Sequence, residues 1–102
     1  MAPIRAIIDT DPGLDDTAAI LFALACPDLV TVEMLTTVFG NAGLANSTRN
    51  ALTILEAAGR NDIPVYEGAD RPLLRAPRFA PHIHSEDGLG GLAAKYPPSG
   101  SV

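Results

Sequence analysis

Apolar residues fall in short blocks separated by turn signals, and the spacing inside each block identifies an element. Ile4 to Ile8 (IRAII) is rich in β-branched residues and stops at Asp-Thr-Asp-Pro-Gly, which predicts a buried strand. Residues 15–26 (DDTAAILFALAC) carry apolar side chains around most of a helical axis, predicting a helix buried against a sheet and ended by Pro27. Residues 29–39 (LVTVEMLTTVF), closed by Gly40, predict a second strand with Met34, Leu35 and Phe39 as core. Residues 46–59 (NSTRNALTILEAAG) predict a second helix, with Asn46 or Ser47 as N-cap, a stripe at Ala51, Leu55 and Ala58, and Gly59 as its stop. Residues 63–68 (IPVYEG) predict a short third strand.

This alternation predicts parallel pairing with right-handed crossovers, the first half of an open α/β sheet. Ligands of such sheets sit beyond the carboxyl ends of the strands. After Asp70 the periodicity dissolves. Pro72, Pro77, Pro81, Gly88, Gly90 and Gly91 mark residues 70–91 as an irregular segment too long for an ordinary connector, the usual signature of an active-site lid or binding loop. The last residues (YPPSGSV) have the composition of a linker or frayed end.

With 47% hydrophobic, 19% charged and 5% aromatic residues in 102 positions, the composition is that of a globular protein of one small domain, or of part of a larger one. A formal net charge of -5 argues against a nucleic-acid backbone or an anionic membrane as partner. The single cysteine, Cys26, excludes an internal disulfide framework and fits a reducing compartment, so a cytoplasmic location is expected. Arg5 is not followed by an adequate apolar run before Asp9, and no stretch reaches the ~20 apolar residues of a membrane span.

The charge is unevenly spread: Asp9, Asp11, Asp15 and Asp16 supply four of the twelve acidic residues, at the strand edge where a ligand is expected. An EF-hand loop begun at Asp9 would need Asp or Asn, Gly and Glu where Gly13, Leu14 and Ile20 stand. A phosphate-transferring site of the haloacid-dehalogenase type resembles Asp9-Thr10-Asp11 but has threonine or valine at the place of Gly13. A dinucleotide fingerprint needs several glycines where only Gly13 occurs. A hard-cation site fits better: carboxylates from a strand end and a helix start, brought together by the Pro12-Gly13 turn, would offset their repulsion by coordinating Ca²⁺ or Mg²⁺. Asp15 is equally suited to capping the helix.

These residues carry a resemblance. DTDPGLDD behind an apolar strand is similar to the N-terminal signature of the inosine-uridine-preferring nucleoside hydrolases. TTVFGN (36–41) resembles their second motif, and HIHSEDGLGG (82–91) resembles their HGxxG segment except that Ser85 replaces a glycine. The resemblance implies an open, mainly parallel Rossmann-like α/β fold of which residues 1–102 form the N-terminal portion of a single domain. It also implies an N-ribohydrolase that splits ribonucleosides into ribose and free base around a Ca²⁺ ion.

By the same resemblance Asp11 is a metal ligand and the general base toward water, and Asp16 a bidentate metal ligand. Asp15 and Asn41 bind the ribose hydroxyls, and Asp9 supports the ligands from behind. His82 and His84 either contact substrate from the loop or stay at the surface. The complete enzyme is expected to be a homo-oligomer acting on a small nucleoside, with neither nucleic acid nor membrane as partner. The family's further metal ligands and leaving-group acid come from later in its longer chains, so this chain reads as an N-terminal fragment. A non-catalytic module keeping a sugar and metal half-site is the alternative, and a metal-dependent phosphatase a more distant one.

Overall fold

A computed structural model describes residues 2–40, 43–70 and 74 of the chain. In order, the elements are β1 (Ile4–Thr10), α1 (Leu14–Leu24), β2 (Val30–Thr37), α2 (Leu44–Ala57) and β3 (Val65–Glu67). The strands form one sheet in the order β1-β2-β3, with both pairs parallel. The strand and helix alternation of the sequence therefore gives the architecture it predicts, because a parallel partner can be reached only through a crossover, here a helix.

Helix boundaries differ from the sequence reading in two instructive places. α2 starts at Leu44 with Gly43 as its N-cap, so Asn46 and Ser47 lie inside the first turn rather than capping it. The Ser47 amide already donates to Gly43 O at 2.9 Å, and its side chain is buried. α1 ends at Leu24, three residues before Pro27, because turns joined by Cys26 N to Ala23 O (3.2 Å) take over. The expected stop of α2 does stand: Gly59 adopts φ +70, a left-handed conformation that costs glycine nothing and lets its amide donate to Glu56 O at 3.0 Å.

Both helices contribute to one core. Ile20 of α1 and Ala51, Ile54 and Leu55 of α2 cluster with Val32 and Leu35 of β2, Ile63 and Val65. Burying each large aliphatic side chain is worth about 1.5–3 kcal/mol. Which residues of β2 face this core is decided by an irregularity. Ala6 is paired with Val32 and Ile7 with Met34, so Glu33 is an extra residue that reverses the pleat. Beyond it Leu35 and Thr37 turn inward with Val32, whereas strict alternation would have sent Met34 and Thr36 there. Met34, expected in the core, is half-buried on the other face, and Phe39 is also half-buried.

α1 departs from the expectation of burial on most sides. Only Ile20 is fully covered, while Phe22 is 72% exposed and Leu21 40%. On the sheet, Ile7 (61%) and Tyr66 (55%) are exposed as well. Among the described residues a three-stranded sheet with helices over one face cannot cover the rest of its apolar surface. No helix among them is long and apolar enough to cross a membrane.

Candidate functional site

The carboxyl ends of β1 and β2 and the N-terminus of α1 meet at one edge of the sheet. Three consecutive residues of the first motif are sent in different directions by strand geometry. Asp9 lies in register with Thr36, whose Oγ1 donates to Asp9 Oδ1 at 2.7 Å. Thr10, the next residue, points to the opposite face, where it is buried and its Oγ1 donates to Asp16 Oδ2 at 2.9 Å. Asp11 follows the end of the strand, and its side chain lies against the backbone of Gly40, just past β2. A Cβ added at Gly40 would stand 2.6 Å from the Cβ of Asp11. Glycine at position 40 is thus what allows Asp11 its place.

Pro12 and Gly13 then turn the chain into α1. Gly13 is the N-cap and makes no side-chain cap; its carbonyl instead accepts from Thr17 N (3.1 Å) and Thr17 Oγ1 (2.7 Å). Asp15 is therefore inside the first turn rather than at the cap, and exposed. Asp16 is half-buried beside it, and a helix N-terminus favours both charges.

The four aspartates do not converge on one point. Among the described residues no three His, Cys, Asp or Glu side chains gather closely enough to hold a metal ion by themselves. Asp11 and Asp16 do come near each other, close enough for the charge of Asp11 to act on the Asp16 carboxyl. Pleat alternation turns Asp9 away from Thr10, and the ~100° step of a helix turns Asp15 away from Asp16. Asn41, His82 and His84 lie outside the described residues, as does the expected loop over 70–91 apart from Asp70 and Leu74.

Burial pushes the Asp16 carboxyl above its ordinary range, the charges of Asp11 and Asp15 push it further, and the Thr10 hydroxyl opposes them. A carboxyl raised in the folded state gives stability that is present at low pH and lost as pH rises through the folded-state value. Asp16→Asn removes that loss and keeps an oxygen for Thr10. Without divalent cations its melting temperature is therefore expected to equal or modestly exceed wild type at neutral pH, and the difference to vanish at acidic pH. Thermal melts at both pH values check this; a clear fall at neutral pH would mean that the carboxylate stabilises the fold.

Sequence reading missed Thr10 and Thr36, the hydroxyls that hold Asp16 and Asp9. The available signal was their position beside or across from aspartates at strand ends. It also missed the polar side of α2, where Ser47, Thr48, Asn50 and Thr53 are buried beside the apolar stripe. Thr48 Oγ1 shares a 2.9 Å hydrogen bond with Thr37 Oγ1, and Asn50 Nδ2 donates to Pro12 O at 3.1 Å.

Comparison with known proteins agrees with this fold. The family model described as inosine-uridine preferring nucleoside hydrolase matches residues 6–101. Uridine nucleosidase 1 of Arabidopsis thaliana is 49% identical over 96 residues, covering 93% of this chain and 28% of the relative. The inosine-uridine preferring nucleoside hydrolase of Crithidia fasciculata is 45% identical over 95 residues, covering 93% and 29%. A solved plant nucleoside hydrolase superposes with a TM-score of 0.81 at 49% identity, covering 87% of this chain and 28% of that one. An inosine-guanosine nucleoside hydrolase gives 0.80 at 35% identity, with 93% and 28% covered. The chain thus spans 28–30% of the length of the curated relatives it matches.

Proposed function

Since the chain belongs to the inosine-uridine preferring nucleoside hydrolase family, we propose that the protein hydrolyses the N-glycosidic bond of ribonucleosides, releasing ribose and the free base. The observation that carries the reading is the seat of Asp11 against Gly40 and beside Asp16, at the carboxyl edge of a parallel sheet.

Loss of a base from ribose passes through a transition state with positive charge on the sugar, which nearby carboxylates favour. In this reading Asp11 takes the proton of the attacking water, a task that needs a carboxylate held in one orientation. Packing against Gly40 supplies that restraint. Asp15, exposed at the start of α1, accepts hydrogen bonds from ribose hydroxyls, and Asn41, next after Gly40, adds an amide able both to donate and to accept. Asp9, fixed by Thr36, steadies the strand end from the other face.

The donor set fits a hard divalent cation: Asp11 and Asp16 offer adjacent carboxylates, oxygen ligands only, whose mutual repulsion a cation would offset. These two residues would hold Ca²⁺, short of the ~6–8 oxygens it takes. Bound there, the ion would orient water and the ribose diol.

The test is release of reducing sugar from inosine and from uridine by the full-length protein, before and after chelation with EDTA and on restoring Ca²⁺. We expect turnover that EDTA abolishes and Ca²⁺ restores. Sugar release unaffected by EDTA would remove the cation from the reading, and none from any nucleoside would remove the reading itself.

A further inference from the structure

Asn50 lies in the interior of α2, entirely buried, on the turn facing the β1–α1 loop. Asparagine is a poor helix former and its amide is costly to bury, so neither helix formation nor core packing accounts for it. Its Nδ2 donates to the carbonyl of Pro12 at 3.1 Å, across 38 residues of sequence. Pro12 has no N–H, so its carbonyl is the sole backbone group by which this residue can be held. The side chain of Pro12 is also fully buried, which leaves that carbonyl in need of a partner from the protein.

Pro12 sits between Asp11 and Gly13, where α1 begins. The bend at Pro12 is the shortest covalent path between Asp11 and Asp16, and a slack bend would let the two carboxylates drift apart. One turn of α2 thus holds both the end of β2 and the β1–α1 bend. Thr48 ties to Thr37, the last residue of β2, and Asn50 to the bend itself.

We infer that Asn50 is a positioning residue of the site, its amide holding the Asp11-Pro12-Gly13 bend so that Asp11 rests on Gly40 and beside Asp16. The inference rests on the reading of this edge as the hydrolytic site. Asn50 touches neither substrate nor cation; it sets how far apart the two carboxylates stand. Its loss acts on kcat and on cation affinity together, whereas an ordinary loss of helix packing acts on neither.

The test uses the full-length protein with Asn50→Leu, which removes the donor at similar size, and Asn50→Ser, which fits the same space and decides the matter if the leucine variant does not fold. Ile54→Val on the core face of the same helix shows what lost packing alone does. Kinetics are paired with calorimetric titration of Ca²⁺. The expected result is kcat lower by about 10- to 100-fold and Ca²⁺ bound correspondingly more weakly in both Asn50 variants, with neither change in Ile54→Val. Asn50 variants that melt lower yet keep wild-type kcat and Ca²⁺ titration would overturn the inference and leave the hydrolase reading intact. A wild-type protein that releases no ribose would overturn that reading and the inference with it.

Discussion

Asp11→Ala in the full-length protein is expected to lower nucleoside turnover by about 10²- to 10⁴-fold, the range for removing a positioned general base, while leaving the fold in place. Asp11 stands beyond the end of β1, outside the core formed by Ile20, Leu35, Leu55 and their neighbours, so its loss opens no cavity there. It also removes a negative charge from beside Asp16, which relieves rather than strains that carboxylate. Asp16→Ala is expected to weaken Ca²⁺ and turnover similarly, but to leave the Thr10 hydroxyl without its acceptor. Steady-state assays with circular-dichroism melts separate the two effects. Near-normal turnover in both variants would sink the assignment of the edge.

Gly40→Ala tests the same site from the other strand. The new methyl group would fall 2.6 Å from the Cβ of Asp11, well inside contact distance. Rotating the Asp11 side chain cannot relieve that approach, because Cβ is fixed to the backbone, so one of the two loops must move. A shift of about 1 Å in a reacting group is enough to cost about 100-fold in rate, and we expect a fall of that order. Gly43→Ala, three residues on, places its methyl in open space and is expected to leave turnover near wild type. Equal activity in the two alanine variants would show that the Asp11 seat against Gly40 does not matter to the reaction.

Much of the fold could be read from the chain because it depends on near neighbours. The apolar run at Ile4 to Ile8, the Pro12-Gly13 turn and the left-handed stop at Gly59 are local features, and each stands where its residues place it, although the strand expected to be buried leaves Ile4 and Ile7 exposed. Boundaries were less legible. Gly43 rather than Asn46 or Ser47 starts α2, since the sequence offers several capping types within four residues and only the buried side of the helix selects among them. The all-round apolar character of α1 suggested burial that Leu21 and Phe22 do not receive, because the pattern records what a helix could bury and not how much protein lies near it.

For the site, the sequence by itself determined the chemistry available: oxygen donors clustered behind a strand, a Pro-Gly turn, and three motifs that resemble one family. Only the tertiary structure decided which of those donors meet. Pleat and helix periodicity divide four neighbouring aspartates into an adjacent pair, Asp11 and Asp16, and two turned elsewhere. The extra residue at Glu33 decides that Leu35 and Thr37 face the helices. Gly40 makes room for Asp11, and Asn50 holds the bend beneath it from far along the chain. Such contacts join residues tens of positions apart, so no local spacing encodes them; they exist only once the parallel strands are in register and α2 is packed across them.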